Sequence, residues 1–203
     1  MNILIVTSSA QGAASVSTGL ATGFAEQLRA AHPGSQITIR DVGAHPLPHL
    51  TEETLAGIRA EAQSEAEIAA RDISDELLAE VRGADLVVIA SPLYNFGISS
   101  TLKTWFDYLL RPRIAFRYSE KGPEGLLGNR KVVVIESRAG VYEGAADLQE
   151  AHLRTMLTFA GLDDISFVRA EGLAYGPEAA QAAIGKAADQ LADLAREQLP
   201  LAA

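Results

Sequence analysis

The segment TSSAQGAASVS, residues 7–17, is rich in hydroxyl groups and carries no positive charge. It lacks both the G-x-G-x-x-G and the G-x-x-x-x-G-K-[ST] patterns of nucleotide-binding loops. Hydroxyls and backbone amides that lead into a helix can still bind an anion such as phosphate, helped by the helix dipole. Without a lysine or a metal ligand, such a phosphate would be an anchor and not a reacting group. The alternative is that Ser15 and Ser17 only cap the helix.

The segment SPLYNFGISS, residues 91–100, places two aromatic rings in a loop that also contains proline and glycine. Backbone groups that leave a sheet need partners, and a flat heterocycle with alternating donors and acceptors would supply them. Tyr94 and Phe96 would wall that ring, and Gly97 would let the chain approach it closely. The segment SRAG, residues 137–140, could contact the far end of the same ring. The alternative is that the two aromatic side chains plug the end of the sheet.

Five short segments that precede or follow these loops have the composition of β-strands. Residues 3–6, 86–90 and 132–135 are apolar and β-branched, as in parallel strands buried on both faces. Residues 36–40 and 165–171 include polar side chains, which is typical of edge strands. Helical patterns separate the strands, so we predict an α/β fold, a three-layer sandwich around a five-stranded parallel sheet. The strand order is then 2-1-3-4-5, the flavodoxin-like order, in which ligands bind where strands one and three diverge.

Candidate caps and turn residues mark where the intervening helices begin. Besides the serines of the first loop, Ser74 and Ser99 are placed to cap helices, and Pro177 suits the first position of the last helix. A further helix is predicted within residues 145–160. Residues 51–73 are rich in alanine and glutamate, which predicts a helical cover.

The composition bounds the chemistry of the chain. Its 203 residues predict one domain spanning residues 1–203, and the net charge of -9 disfavours binding to nucleic acid or to an anionic membrane surface. There is no cysteine, so thiolate chemistry is excluded and redox chemistry would need a bound cofactor. His45 and His49 are separated by prolines, and we do not expect them to bind metal. The lack of a signal peptide or a long apolar run predicts a cytoplasmic location.

Several of these segments closely resemble the FMN-dependent NADH-azoreductases, also known as NADH:quinone oxidoreductases, within the flavodoxin-like NAD(P)H-quinone reductase group. The most specific motifs are PLYNFGIS and FRYSEKGPEGL, and the resemblance extends from the first serines through the last helix. It implies a homodimer with one FMN per subunit at the interface, NADH as co-substrate, and quinones and aromatic azo compounds as acceptors.

The resemblance also implies roles for residues of three loops and two aromatic positions. Tyr118 and Phe159 match positions that line the substrate cleft, and Tyr118 lies in the long connection 111–128 that would reach the partner subunit. The family usually has Ser-Arg-Gly-Gly at residues 137–140, so alanine at position 139 would be strained by about 1 kcal/mol if positive φ were required there. The implied FMN-binding residues are Ser9, Ser15, Val16 and Ser17 for the phosphate and ribityl chain, Leu93, Tyr94, Asn95 and Phe96 for the isoalloxazine, and Ser137, Arg138, Ala139 and Gly140 for the pyrimidine end.

The implied activity is transfer of a hydride from NADH to the flavin and then of two electrons to a quinone or azo compound in the same slot, with ping-pong kinetics. The flavin would carry the chemistry, and no side chain is needed as a nucleophile or base. One alternative is a flavodoxin-type FMN electron carrier without turnover of its own. Another is an interaction module that binds no flavin.

Overall fold

A parallel sheet of five strands forms the middle layer of the computed structural model, which describes residues 1–128, 130–142 and 147–197. The strands of this sheet are β1 (Asn2–Thr7), β2 (Gln36–Asp41), β3 (Leu86–Pro92), β6 (Lys131–Ser137) and β7 (Ile165–Ala170). The remaining two, β4 (Phe116–Ser119) and β5 (Gly122–Gly125), pair separately as an antiparallel hairpin. The order in the large sheet is β2-β1-β3-β6-β7, so the predicted flavodoxin-like order is confirmed.

The register of the sheet brings the ends of its inner strands to one edge. Ser91 pairs with Glu136 between β3 and β6, and Ser137 pairs with Ala170 between β6 and β7. The loops that follow β1, β3, β6 and β7 therefore all leave the sheet on the same side. The central strand β3 is buried along its whole length, whereas β2 is exposed at several positions, as expected for an edge strand.

Six helices cover the two faces of the sheet. Apolar residues of α1 and α6 pack on one face, and those of α3, α4 and α5 pack on the other, with Trp105 and Phe106 of α4 fully buried as expected for core residues. The helices are α1 (Val16–Ala31), α2 (Glu52–Arg59), α3 (Glu65–Gly83), α4 (Ser100–Leu109), α5 (Leu148–Phe159) and α6 (Pro177–Glu197). The predicted start of α5 at residues 145–146 and the chain end at residues 198–203 fall outside the described residues.

Three of the predicted helix starts are confirmed and one is wrong. The hydroxyl of Ser15 accepts a hydrogen bond from the Thr18 amide, Ser99 caps α4, and Pro177 is the first residue of α6. Ser74 is not a cap, because it lies buried in the middle of α3 and donates to the Tyr108 carbonyl at 2.7 Å. The cap of α3 is Ser64, which forms a capping box three residues before a glutamate.

The hairpin of β4 and β5, which the sequence did not reveal, is held against the end of α5 by a close approach of two backbones. A Cβ atom on Gly125 would overlap the backbone nitrogen of Gly161, so only glycine fits at position 125. Gly161 itself has a φ of +86°, a left-handed conformation that also favours glycine. Across the described parts of the chain, the helices are all too short or too polar to cross a bilayer.

Candidate functional site

A cleft of about 290 Å³ opens at the carboxyl edge of the sheet, where the loops after β1, β3, β6 and β7 meet. It brings together six of the residues that the sequence assigned to one ligand: Val16, Leu93, Tyr94, Ser137, Arg138 and Ala139. Four further residues, which the sequence analysis did not assign, complete the lining: Gln11, Pro92, Leu173 and Ala174. The wall after β7 is fixed by backbone hydrogen bonds, from the Leu173 amide to the Arg138 carbonyl and from the Ala174 amide to the Ala139 carbonyl.

The amino terminus of α1 lies at one end of this cleft, and its hydroxyls and free amides favour a negative charge there. Ser15 and Ser17 are both buried, and their hydroxyl oxygens lie 3.3 Å apart. The first turn of the helix holds no acidic residue, so the helix dipole and free amides are not neutralised from within the helix. The capping role of Ser15 is thus confirmed, and it is compatible with the prediction that the same helix terminus binds an anion.

The loop after β3 (residues 93–99) is the predicted ring-binding loop. It forms a tight turn whose central residues have unusual backbone angles. Asn95 has a φ of 48° and Phe96 a φ of 68°, and the amides and carbonyls of Tyr94 and Gly97 bond to each other at 2.9 and 3.1 Å. Positive φ at both central positions is the signature of a type I′ turn, and without glycine it costs of order 1 kcal/mol per residue. Such strain is typical of functional sites.

This turn leaves fewer free backbone groups than the sequence suggested. The Leu93 amide donates to the Ser137 carbonyl, and Tyr94 and Gly97 satisfy each other. Within the turn from Tyr94 to Gly97, the amides of Asn95 and Phe96 have no acceptor among the described residues. Both residues are exposed, and the Phe96 side chain has 61% of its surface accessible. Phe96 therefore does not plug the sheet.

The loop after β6 shows no strain at the alanine that departs from the family pattern. Neither Ala139 nor Gly140 is in the left-handed region, so the expected penalty for alanine does not arise. A Cβ on Gly140 would meet the Tyr142 ring at 3.4 Å, an ordinary contact. The backbone of this loop is therefore compatible with the residues it carries.

Arg138 lines the cleft only through its backbone, because its side chain is buried in an ionic network behind the loop. Its guanidinium lies 2.7 Å from Glu136, 2.8 Å from Asp147 and 3.1 Å from Glu171, measured between nitrogen and oxygen atoms. Burial raises the pKa of the Glu136 carboxyl, and the adjacent positive charge of Arg138 opposes that rise. The guanidinium thus stabilises the loop and does not point at a ligand in the cleft.

Gln149, which the sequence analysis missed, connects this network to the loop after β3. Its amide nitrogen donates to the Ser91 carbonyl at 2.8 Å and to the Ser91 hydroxyl at 2.9 Å, and its oxygen accepts from Arg138 at 3.1 Å. Gln149 is fully buried in α5 and thereby ties two walls of the cleft together. A polar residue at a helix position facing the core was the available signal, since buried amides need several partners.

Ser9 and the two predicted substrate-lining aromatics lie outside this cleft. Ser9 is buried next to it, with its hydroxyl oxygen 3.0 Å from that of Tyr94. Tyr118 and Phe159 pack with Phe116 around the hairpin, with ring centroids 4.4–6.3 Å apart. Tyr118 remains 75% exposed, so within one chain these rings do not reach the ligand site.

The described residues provide no convincing metal site. Three carboxylates, Glu136, Asp147 and Glu150, lie close enough together to share an ion. However, arginine side chains already occupy them: Arg138 binds Glu136 and Asp147, and Arg169 binds Glu150. The expectation against a histidine site remains a prediction.

Comparison with known proteins places this architecture in a family. Residues 1–195 match the family described as having a flavodoxin-like fold, so the chain belongs to that family. Within it, the chain is 48% identical over 199 residues to the FMN-dependent NADH:quinone oxidoreductase of Hyphomonas neptunium, covering 96% of both chains. The enzyme of the same name from Azotobacter vinelandii is 44% identical over 196 residues, covering 95% of this chain and 98% of its own. The chain is thus a member of the FMN-dependent NADH:quinone oxidoreductases, an enzyme family.

Solved structures agree with this assignment. The azoreductase from Bacillus anthracis str. Sterne superimposes with a TM-score of 0.86 at 28% identity, covering 97% of this chain and 99% of that one. The FMN-dependent NADH-azoreductase from Bacillus anthracis str. Ames Ancestor, solved in complex with FMN, gives a TM-score of 0.83 at 25% identity. It covers 96% of this chain and 100% of that one.

Proposed function

We propose that the cleft binds FMN and that the chain uses NADH to reduce quinones and aromatic azo compounds. The observation that carries this proposal is the convergence of three features at one edge of the sheet. These are the helix terminus at Ser15, the two unpaired amides of Asn95 and Phe96, and the wall formed by Ser137 to Ala139. The names of the relatives and the FMN complex of a similar structure support the choice of ligand.

The residues at the cleft suit two chemical parts of FMN, the phosphate and the flat ring. The buried hydroxyls of Ser15 and Ser17 at a helix terminus fit a phosphate, and the apolar walls at Val16 and Leu93 fit a planar ring. The positive φ angles of Asn95 and Phe96 are strained, and such strain is typical of ligand-binding turns. A cleft of about 290 Å³ holds only part of such a molecule, so one face of the ring would stay open for a second planar compound.

Bound FMN would supply the chemistry, accepting a hydride from NADH and delivering two electrons to the acceptor. The chain would hold the ring and exclude water on the side of Leu93 and Ser137. The amides of Asn95 and Phe96 would donate hydrogen bonds to ring atoms, and such fixed donors stabilise negative charge as it develops. None of the residues lining the cleft is needed as a nucleophile or a general base.

The second face of the ring-binding site would come from a second copy of the chain. Tyr118 is 75% exposed on a hairpin that stands outside the main sheet, and Phe96 is 61% exposed at the rim of the cleft. Large aromatic side chains left this open are typical of interfaces. We therefore infer a homodimer in which Tyr118 and Phe159 of one protomer line the substrate cleft of its partner, and light scattering of the purified protein tests it.

NADH and the acceptor would occupy the same open face in turn, which predicts ping-pong kinetics. A flat aromatic slot reads shape more than functional groups, so both benzoquinone and methyl red should be accepted. The test is the absorption spectrum of the purified protein, then anaerobic stopped-flow mixing with NADH and initial rates at several concentrations of each substrate. A yellow protein bleached by NADH, with parallel double-reciprocal lines, is expected.

Each other outcome of these measurements points elsewhere. Intersecting lines would show that both substrates bind together. A yellow protein that consumes no NADH with quinone unless a reductase is added would instead be an electron carrier. A colourless protein that cannot be reconstituted with FMN would refute the proposal.

A further inference from the structure

The hydroxyl of Tyr94 connects the serine-rich loop after β1 to the ring-binding loop after β3. Its oxygen lies 3.0 Å from the Ser9 hydroxyl oxygen and accepts a hydrogen bond from the Ala10 amide at 3.1 Å. The Ser9 oxygen in turn accepts from the Gln11 amide at 3.2 Å. One phenol thus fixes three consecutive residues of the other loop, directly or through Ser9.

Few other hydrogen bonds hold this part of the loop, although the Ser9 backbone also packs closely against Gly43. Ser8, just before it, is anchored to β3 by a hydrogen bond from its hydroxyl to the Ala90 carbonyl at 2.9 Å. The amides of Ala14 and Ser15, just after it, bond only to carbonyls within the same loop, at Gln11 and Gly12. Between these two points, the Ser9–Tyr94 pair is the side-chain link from the described part of the loop to the rest of the chain.

The pair also leaves one hydroxyl hydrogen free. Each of its two oxygens already accepts a hydrogen from a backbone amide, and the contact between them uses one of their two hydroxyl hydrogens. Whichever oxygen donates in that contact, the other keeps a hydrogen for which the described residues offer no acceptor. If Ser9 keeps this hydrogen, the burial of Ser9 favours an acceptor supplied by a ligand at the rim.

We propose that Tyr94 is a positioning residue that clamps the serine-rich loop onto the ring-binding loop, and that the Ser9–Tyr94 pair makes the site prefer FMN over riboflavin. The inference rests on the proposed function. The ring of Tyr94 lines the cleft and would serve either flavin equally. The hydroxyl acts on the loop that leads into the helix terminus at Ser15, which only the phosphorylated flavin uses. Ordering that loop in advance removes an entropic cost from phosphate binding.

The test compares two flavins on variants that differ by single hydroxyl groups. Dissociation constants of FMN and riboflavin are measured by flavin fluorescence for the flavin-depleted wild type and for Y94F, S9A and Y94F/S9A. Because one net hydrogen bond changes a binding constant by about five- to tenfold, Y94F should weaken FMN binding by that factor and riboflavin binding by less than about twofold. The double variant should lose less than the product of the single losses, because the two hydroxyls act as one unit.

The matched control is Y108F, which removes the hydroxyl of a buried tyrosine in α4 that has no hydrogen-bond partner among the described residues. Its ratio of FMN to riboflavin affinity should equal that of the wild type. A second measurement, hydrogen exchange in the flavin-depleted protein, is independent of any ligand. The Ala10 amide should exchange faster in Y94F than in the wild type, and unchanged in Y108F.

The results separate this inference from the proposed function. Equal losses of FMN and riboflavin in Y94F would overturn the preference, and an unchanged Ala10 exchange rate would overturn the clamp. If the wild type binds neither flavin, the proposed function fails, while the exchange rates still decide whether Tyr94 orders the loop.

Discussion

Replacement of Arg138 by methionine tests whether the ionic network behind the cleft is compensated within the chain. Arg138 and Glu136 are both fully buried, and their charged atoms lie 2.7 Å apart. Methionine keeps an extended side chain but no charge, so Glu136 would retain only Arg169, whose Nε lies 3.2 Å from the same carboxylate oxygen. Removing one partner of a buried pair lowers the free energy of unfolding by about 3–5 kcal/mol, and because Arg169 remains we expect a value near 3.

The free energy of unfolding that R138M loses should also depend on pH, and the direction of this dependence can be predicted. Burial raises the pKa of Glu136 and Arg138 lowers it, so removing the arginine raises it further. A carboxyl group whose pKa is higher in the folded chain binds more protons when folded, and stability then rises as the pH falls through that raised pKa. The difference between wild type and R138M should therefore shrink when the pH is lowered from about 7 to about 5.

The assay is urea unfolding followed by circular dichroism, at one fixed protein concentration because assembly would add a concentration dependence. The double variant E136Q/R138M also removes the negative charge that R138M leaves without its arginine partner. It should recover more than half of the free energy of unfolding that R138M loses. The control R196M breaks an exposed pair with Asp193 in α6 and should cost less than about 0.5 kcal/mol. The reasoning is refuted if R138M is as mild as R196M, or if E136Q/R138M is no more stable than R138M.

Three further substitutions probe how the elements of the fold are held. G125A should lower the free energy of unfolding by about 1–3 kcal/mol, because its Cβ would overlap the Gly161 backbone. G19A in α1 should raise it by about 0.5–1 kcal/mol, because a Cβ there meets nothing within 4 Å. Thermal melts that rank the two variants the other way would contradict this reasoning. Q149L removes the hydrogen bonds that connect Ser91 to Arg138 in the loop after β6, and it should weaken FMN binding by about tenfold in a fluorescence titration. An unchanged affinity would show that the two walls of the cleft keep their positions without Gln149.

The strand order followed from the sequence because burial differs between strands. Apolar runs such as residues 86–90 are typical of the middle of a parallel sheet, and the mixed runs at 36–40 and 165–171 are typical of its edges. Once the order is set, the loops of the site follow, since parallel strands end at the same edge. The order thus predicted the loops of the cleft, whereas individual lining residues such as Val16 and Leu93 came from the resemblance to the family.

The errors arose where local signals were ambiguous. Ser74 is followed by two acidic residues and looks like a cap, but it sits in a longer helix that already begins with the stronger box at Ser64 and Glu67. Nothing in short segments such as GPEG indicates a strand, so the hairpin was missed. Its pairing depends on contacts with the Gly161 turn, which are distant in sequence.

Side-chain direction was the other quantity that the sequence did not determine. Arg138 follows a strand end at the rim, and its position alone is compatible with reaching a ligand. The structure turns it inward because four polar groups from β6, α5 and the loop after β7 converge on it. Likewise, the left-handed angle of Phe96 could not be anticipated, because an aromatic residue rarely adopts it, whereas asparagine, as at position 95, tolerates positive φ.

The anion site that we propose at the start of α1 has a consequence for FMN binding at high salt concentration. Its donors are hydroxyls and peptide groups, and the one arginine among the described cleft residues has its charge sequestered behind the wall. Dissolved salt weakens attraction between full charges over a Debye length of about 10 Å at 0.1 M, but it barely affects short contacts to neutral donors. We therefore expect the protein to retain bound FMN at salt concentrations that would release a cofactor bound by lysine side chains.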